Sequence, residues 1–336
     1  MNQSKLIRKF ILKQIVNHPA DIVAITSTQF NVTRTTVHRH LNKLLRDNQV
    51  IKSGLTKDVR YYTTTVFNRS LNYKIIPGLS EYEVLKTGFE DIFKKLSENH
   101  KDIFIYGFTE IFNNAIDHSQ GKKIIASTHY TKDQLVLSIE DDGIGIFKNI
   151  YDICKLDDMR ESILQLTKGK ITTDPIHHTG EGLFFTMRIF DVVEIKANNL
   201  CYLRDNSISD WCIKSETNMK KGSTVTMTLN ATSTRNLMDL FNAYQNPETL
   251  AFDRTEIIVA MSNFGEETLI SRSQAKRILR DLEKFQQITL DFTGIRLIGQ
   301  GFVDEIFRVF INKNPGIKIN YIHANKDIEF MMKRCL

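Results

Sequence analysis

Four short motifs between residues 109 and 224 constrain the fold of this chain more than any other feature. The first motif is TEIFNNAIDH, at residues 109–118. On a helix, Glu110 and Asn114 lie about one turn apart on the same face, so a carboxylate and an amide oxygen can approach one metal–phosphate group. Mg²⁺ prefers oxygen ligands and takes few of them from protein. The motif therefore predicts Asn114 as a metal ligand and leaves Glu110 to orient or deprotonate water.

The second motif, LVLSIEDDGIGI, predicts a buried strand over residues 135–140 that leads into Asp141. A carboxylate at the end of such a strand can accept a hydrogen bond from an adenine amino group. Gly143 and Gly145 allow the chain to turn sharply and to approach a ligand closely.

The third and fourth motifs add a phosphate loop and hydroxyl groups. Gly180, Glu181 and Gly182 come directly before an apolar helical pattern, and the backbone amides at a helix start are suited to bind phosphate. Ser223 and Thr224 open the strand VTMTL, and we expect their hydroxyls in the same pocket. Each motif is common by itself, whereas the joint order of all four is specific.

Taken in this order, the motifs resemble those of the GHKL superfamily, which includes gyrase-type topoisomerases, heat-shock chaperone ATPases and histidine kinases. The resemblance covers residues 80–230. It implies ATP and Mg²⁺ as cofactors, and a two-layer α/β sandwich with a mixed, mainly antiparallel sheet. It also implies that residues 147–179 form a mobile segment over ATP.

The resemblance also implies a role for each motif residue. Asn114 would hold Mg²⁺, Glu110 would be the candidate general base, and Asp141 would read adenine. The hydroxyl beside adenine would come from Ser223 or Thr224. The turn and phosphate-loop positions would be Gly143, Gly145, Gly180, Glu181 and Gly182.

Polar residues come shortly before the third motif, in the run KGKITTDPIHH. Lys168, Lys170 and Thr173 are predicted to contact the β- and γ-phosphates, because cations and hydroxyls suit that position. The alternative is a solvated polar loop without contacts to the nucleotide.

Positive charge is concentrated in residues 1–66, which hold eleven Lys or Arg and three Asp, a net charge of +8 against +6 for the whole chain. Such concentration is typical of a domain that binds the phosphate backbone of nucleic acid. Apolar residues recur at helical spacing over residues 4–17 and 21–30, and again in a third segment that Thr33 can cap. The run VIKSGLTKDVRYYTT then alternates like a hairpin.

The run NVTRTTVHRHLNKLLRDNQVIKSG resembles the winged helix-turn-helix of bacterial transcription regulators. The resemblance implies that the start of the third helix enters the major groove of double-stranded DNA. The residues then expected near base edges or phosphates are Arg34, Thr35, Thr36, His38 and Arg39. Those expected at the DNA backbone are Lys43, Lys52, Lys57 and Arg60. A winged helix that contacts protein instead is the alternative.

Residues 232–336 alternate strand and helix patterns, which predicts a small α/β layer fold. The stretch ITLDFTGIRLIGQGFVDEIF resembles the STAS-like domain that accompanies GHKL modules in bacterial regulators and, more distantly, the anti-sigma-factor antagonists. The position at which those antagonists accept phosphate on serine is occupied here by Ile298-Gly299-Gln300-Gly301, so phosphate acceptance is not expected there. Asp291, Asp304 and Glu305 are predicted to form either an acidic site or helix caps and surface pairs.

The predicted fold class is α+β and multidomain. It comprises a winged helix over residues 1–66, a linker over 67–80, a GHKL domain over 81–231 and a STAS-like domain over 232–336. No stretch approaches the roughly 18 apolar residues of a membrane span, so we expect a cytoplasmic protein without membrane contact. The four cysteines lack metal-ligand or disulfide spacing.

Two functions agree with these patterns. One is an ATP-binding transcriptional regulator in which the GHKL site modulates a DNA-binding domain. The other is a GHKL serine/threonine kinase or slow ATPase that acts on a protein partner, as anti-sigma factors do. A sensor histidine kinase is disfavoured because no His-Glu-x-x-Arg-x-Pro-type phosphoacceptor is present. A protein partner of the C-terminal domain and a homodimer both remain open.

Overall fold

The computed structural model of the protein describes residues 3–15, 18–53, 59–63, 65–171, 180–217, 219–263 and 268–335. The chain divides into two compact units. The first comprises Met1–Arg69 and Thr128–Leu135, and the second comprises Ser70–Ser127 and Val136–Leu336. Among the described residues, no helix combines the length and the apolar character that a membrane span requires.

The first unit begins with three helices followed by an antiparallel strand pair, in the predicted order. The third helix starts where Thr33 was predicted to cap it, since the Thr33 hydroxyl accepts a hydrogen bond from the Thr36 amide at 3.2 Å. Apolar residues at helical spacing form the core, among them Ile7, Ile11 and Leu41. The elements are α1 (Gln3–Gln14), α2 (Ile22–Phe30), α3 (Arg34–Arg46), β1 (Val50–Ser53) and β2 (Arg60–Thr63).

A seven-stranded sheet has the order β3-β4-β5-β9-β6-β7-β8. Its strands are β3 (Thr65–Lys74), β4 (Lys123–Thr131), β5 (Gln134–Asp141), β6 (Val192–Ala197), β7 (Leu200–Asp205), β8 (Asp210–Ser215) and β9 (Ser223–Asn230). The pairs β6–β7, β6–β9 and β7–β8 are antiparallel. The predicted linker over residues 67–80 is thus partly strand, because β3 continues to Lys74 and pairs with β4 at the sheet edge.

In the part of the chain that the structure describes, five helices lie between the strands of this sheet along the chain, two between β3 and β4 and three between β5 and β6. They are α4 (Glu81–Phe93), α5 (Glu98–His118), α6 (Ile146–Cys154), α7 (Glu161–Lys168) and α8 (Gly182–Ile189). Ser97 caps the start of α5, since its side chain accepts a hydrogen bond from the His100 amide. Phe104, Phe108 and Phe112 recur every four residues along α5 and are fully buried, with the last two rings stacked at 5.1 Å between centroids. This aromatic face anchors α5, so its opposite polar face is held in place as well.

The C-terminal part alternates strands and helices as predicted. Strands β10, β12 and β14 form a parallel sheet in that order, and β11 pairs with β13. The strands are β10 (Arg254–Ile258), β11 (Thr268–Leu269), β12 (Gln287–Asp291), β13 (Leu297–Ile298) and β14 (Lys318–Ile322). The helices are α9 (Leu237–Tyr244), α10 (Arg272–Leu279), α11 (Gln300–Val303), α12 (Ile311–Lys313) and α13 (Lys326–Cys335), with a π-helical segment Asp304–Phe310 between α11 and α12.

Two acidic residues of the C-terminal part serve local structure. Asp291 accepts a hydrogen bond from the Thr293 amide at 2.9 Å and lies 2.9 Å from His323 Nδ1. Asp304 forms ion pairs with Arg272 and Arg308. For Asp291 and Asp304, the structure therefore agrees with local turn contacts and surface pairs rather than with a shared acidic site, and Glu305 is buried in the π-helical segment.

The buried aromatic face of α5 generates a stability prediction. Phe108→Ala should lower the free energy of unfolding by about 3–5 kcal/mol, because it leaves a cavity in a fully packed row of rings. Phe93→Ala is the control, since Phe93 is half-buried and meets the row only by an edge contact with Phe104. Denaturant unfolding measures both losses, and an equal loss in the two variants would contradict the prediction.

Candidate functional site

A pocket that is partly open to solvent lies between α5, β5, α6, α8 and β9. It gathers residues that are more than 100 positions apart in the chain. The predicted site residues that line it are Glu110, Asn114, Asp141, Gly145, Gly180, Glu181, Gly182 and Ser223. All four sequence motifs therefore contribute to one cavity.

Asp141 is buried at the end of β5, on the same face as Leu135, Leu137 and Ile139. Strand periodicity thus places one carboxylate where the apolar row ends. The carboxylate accepts hydrogen bonds from the Gly143 amide, at 2.8 Å, and from the Ser223 side chain. Burial raises the pKa of Asp141, and these hydrogen bonds oppose that rise. The group is a fixed hydrogen-bond acceptor in the pocket wall.

Ser223, rather than Thr224, faces the pocket. Burial alternates along β9, so Ser223 and Val225 point inward while Thr224 points to the other side of the sheet. The Ser223 hydroxyl oxygen accepts a hydrogen bond from the Ile146 amide at 2.9 Å. It therefore links Asp141 to the first residue of α6.

Two glycines near Asp141 are required by the packing of the protein backbone. A Cβ atom on Gly143 would lie 2.0 Å from the carbonyl oxygen of Ser119, and one on Gly222 would lie 1.9 Å from that of Asp141. Gly222 also has a φ of +100°, which favours glycine. Gly143 was predicted to approach a ligand, but it packs against Ser119 and does not line the pocket.

Glu110 and Asn114 both line the pocket from α5, as their spacing predicted. The Glu110 carboxylate lies against the first turn of α8, since a Cβ atom on Gly182 would come within 1.6 Å of Glu110 Oε2. The positive end of a helix dipole stabilises a nearby anion. Tyr106 lies one turn earlier on α5, and burial together with Glu110 and Glu181 raises its pKa, so its hydroxyl stays protonated.

Lys168 and Lys170 do not point to the pocket, in contrast to the prediction. The ammonium of Lys168 is buried and donates hydrogen bonds to the carbonyl oxygens of Arg277, at 3.0 Å, and Arg280, at 2.9 Å. Lys170 donates to the Lys284 carbonyl oxygen at 2.7 Å. The C-terminal part of the chain therefore provides hydrogen-bond acceptors for both ammonium groups. Thr173 lies outside the described residues.

One wall of the pocket was missed by sequence reasoning. Helix α6 presents Ile146, Asn149, Ile150 and Ile153 to the cavity, a spacing typical of one helical face. The Asn149 side chain also donates to the carbonyl oxygen of His118 at 3.3 Å. The apolar residues recur at helical spacing in the sequence, but the GHKL resemblance implies a mobile segment over ATP at most of these positions.

The predicted DNA-contacting residues belong to the first unit. His40, on the inner face of α3, is buried, and burial followed by the nearby Arg8 and Arg39 lowers its pKa. Thr36 is half-buried and uses its amide and hydroxyl in the cap with Thr33. Lys57 lies outside the described residues. The predicted residues that are exposed are Arg34, Thr35, His38, Arg39, Lys43, Lys52 and Arg60.

Comparison with protein families identifies two domains. Residues 101–233 match the family of histidine kinase-, DNA gyrase B- and HSP90-like ATPases. Residues 274–329 match a STAS-like domain of unknown function. The chain therefore contains a GHKL-type ATPase domain and, C-terminal to it, a STAS-like domain. A search of curated proteins gave no significant match.

The residues of the pocket fit a magnesium-bound nucleotide. Asn114 offers one amide oxygen at the wall of the pocket, and Mg²⁺ on a triphosphate needs few protein ligands because phosphate oxygens and water supply the others. The family match supports nucleotide binding in the same place.

Proposed function

We propose that this protein is an ATP-binding regulator whose nucleotide site modulates DNA binding by its N-terminal winged helix. The observation that carries the nucleotide half is the convergence of Glu110, Asn114, Asp141 and Gly182 on one pocket inside a GHKL domain. The DNA half rests on charge and on the exposed face of α3.

Each pocket residue has a separate task in this proposal. The Asp141 carboxylate, held by Gly143 and Ser223, accepts a hydrogen bond from the adenine amino group. Asn114 provides an oxygen ligand to Mg²⁺, which when bound neutralises phosphate charge. The amides at the start of α8 are suited to the phosphates. Glu110, beside that helix start, orients or deprotonates an attacking water.

The exposed side of α3 suits the major groove of DNA. Val37, Leu41 and Leu44 turn inward, which leaves Arg39 in solvent on the opposite side, and Arg34 is exposed at the first position of the helix. Arginine reads guanine by two parallel hydrogen bonds and also binds phosphate. The net charge of +8 over residues 1–66 favours phosphate contacts around this helix.

A partner-directed kinase or slow ATPase is the second candidate. It is favoured by Glu110, which a protein that only binds ATP would not need in the pocket. A hydroxyl of a partner protein would then take the place of water at the same carboxylate. The two candidates differ in whether DNA and ATP affect one another.

The role of Asp141 can be tested by Asp141→Asn. ATP affinity should fall by about 10- to 100-fold, because an amide can present a donor where the adenine amino group needs an acceptor. The ratio of the affinity for ATP to the affinity for GTP should fall as well. Asp142→Asn is the matched control, since Asp142 is exposed and accepts hydrogen bonds from the Lys122 and Lys123 amides outside the pocket. Calorimetry that shows unchanged ATP affinity in Asp141→Asn would refute this assignment.

The DNA-contacting face can be tested with two variants that each remove one positive charge. Arg39→Ala should weaken binding to a duplex selected from a random library by about tenfold, because Arg39 is expected at base edges or phosphates in the groove. Lys9→Ala, an exposed residue of α1, should change affinity little. Fluorescence anisotropy measures both, and affinity should drop as salt rises. Equal effects of the two substitutions, or a DNA affinity that does not change with salt concentration, would contradict the predicted DNA-contacting face.

Coupling between the two ligands separates the two candidate functions. If ATP regulates DNA binding, the selected duplex must change ATP affinity by the same factor by which ATP changes DNA affinity. Glu110→Ala should keep ATP bound while blocking its hydrolysis, so this variant should retain the DNA affinity of the ATP-bound protein. Titrations in which the ligands bind independently would favour the partner-directed kinase.

A further inference from the structure

Helix α7 is short, polar and yet entirely buried. All eight of its residues, Glu161–Lys168, are shielded from solvent, although the helix contains glutamate, glutamine and lysine. Buried polar side chains are costly unless they are hydrogen-bonded or paired. The partners of this helix therefore show what the segment is built to contact.

The charged partners of α7 come from one end of α10, in the STAS-like part of the chain. Glu161 forms ion pairs with Arg277, at 3.0 Å, and with Arg280, at 3.7 Å. At the other end of α7, the ammonium of Lys168 binds the backbone carbonyl oxygens of the same two arginines. These carbonyl oxygens lie at the C-terminal end of α10, where the helix dipole stabilises a cation such as the Lys168 ammonium. Both ends of α7 are thus bound to the end of α10.

Further hydrogen bonds hold the backbone next to α7. The Thr255 hydroxyl donates to the carbonyl oxygen of Lys168 at 2.8 Å. The buried Arg188 guanidinium donates to the carbonyl oxygens of Thr167 and Glu256, each at 3.3 Å. These contacts tie α7 and α8 to β10 of the C-terminal part.

The other side of the same segment forms the wall of the nucleotide pocket. Leu166, Gly169 and Ile171 line the pocket directly. Phe184 lines it too, and its ring packs on Phe252 at 4.6 Å between centroids. A Cβ atom on Gly169 would lie 2.7 Å from Phe252 Cε1. Only one layer of residues therefore separates the pocket from Phe252.

We infer that the STAS-like domain is a clamp within the chain that controls how fast nucleotide enters and leaves the pocket, by docking on α7 and residues 169–171. The inference rests on the proposed function, because it requires that the pocket binds nucleotide. The wall cannot shift outward without breaking the contacts of Glu161 and Lys168 with α10. Those contacts therefore set the barrier to opening.

The polarity of this interface suits reversible docking. Glu161, Gln165 and Lys168 recur at helical spacing, and water would solvate all three if the domains separated. Burial raises the pKa of Glu161 and lowers that of Lys168 to about 7, so both charges are better solvated in an opened state. Polar interfaces of this kind are typical of domains that move relative to one another. A partner that binds the STAS-like domain would thereby change how fast nucleotide enters and leaves the pocket.

The test is stopped-flow kinetics of a fluorescent ATP analogue on the full chain. The double variant Glu161→Gln with Arg277→Gln removes both charges of the 3.0 Å ion pair. Arg280, which loses its longer contact with Glu161, keeps about a third of its side chain exposed to solvent. Both the association and the dissociation rate constants should rise by about tenfold, which corresponds to about 1.4 kcal/mol in the barrier. The control is Arg272→Gln with Asp304→Asn, an ion pair that also involves α10 but does not contact α7, and its rates should match those of the unmodified protein.

Three results would overturn the inference in different ways. If the unmodified protein binds no ATP analogue, the proposed nucleotide site itself fails. If it binds the analogue but the Glu161 and Arg277 double variant has unchanged rates, only the clamp fails. A faster dissociation with unchanged association would show that the domain supports the bound state without controlling entry, which also excludes the clamp.

Hydrogen–deuterium exchange on the unmodified protein gives a second test that requires no variant to fold. When the ATP analogue binds, amides of α7 and α10 should gain protection together, because the pocket wall and the docked domain close as one body. Protection gained by α5 and β5 alone would contradict the clamp.

Discussion

The packing of α5 against the core is the interaction on which the rest of the nucleotide site depends. Phe104, Phe108 and Phe112 are buried on one side of the helix, and the same helical repeat sends Glu110 and Asn114 to the other side. Because the aromatic rings have a single well-packed arrangement, the two polar side chains have fixed positions relative to β5 and α8. Such preorganisation favours nucleotide binding, because ordering flexible protein side chains when the nucleotide binds would reduce the free energy of binding.

Around that fixed helix, the pocket is closed by parts of the chain with very different chemistry. The side proposed for adenine is built from β5 and β9, where Asp141 and Ser223 are held by hydrogen bonds to each other and to backbone amides. The far side is built from α7 and α8, which are covered by the C-terminal part of the chain through buried charges and aromatic rings. The adenine side lies within one sheet, in which β5 and β9 are neighbours, whereas the far side depends on contacts with another part of the chain, so the inferred opening is on the far side.

This arrangement gives the STAS-like domain a physical reason to share a chain with a GHKL domain. Its α10 end pairs with the Glu161 carboxylate and the Lys168 ammonium of α7, which would otherwise be solvated at the pocket wall. A domain that replaces solvent at the pocket wall can alter nucleotide exchange without contributing a residue to the chemistry. In the proposed function, the N-terminal unit acts differently, since its positive surface charge attracts DNA phosphate at long range and salt weakens this attraction.

The sequence by itself determined the features that depend on local periodicity. The one-turn spacing of Glu110 and Asn114, the alternation that buries Asp141, and the Thr33 cap all follow from neighbours a few residues away, and the structure agrees with each. Only the tertiary structure decided where Lys168 and Lys170 point, because their partners on α10 and at Lys284 lie more than 100 residues away. It also decided why Gly143 is glycine, since Ser119 approaches from another element. Local pattern specifies which face a side chain occupies, whereas long-range packing specifies what that face meets.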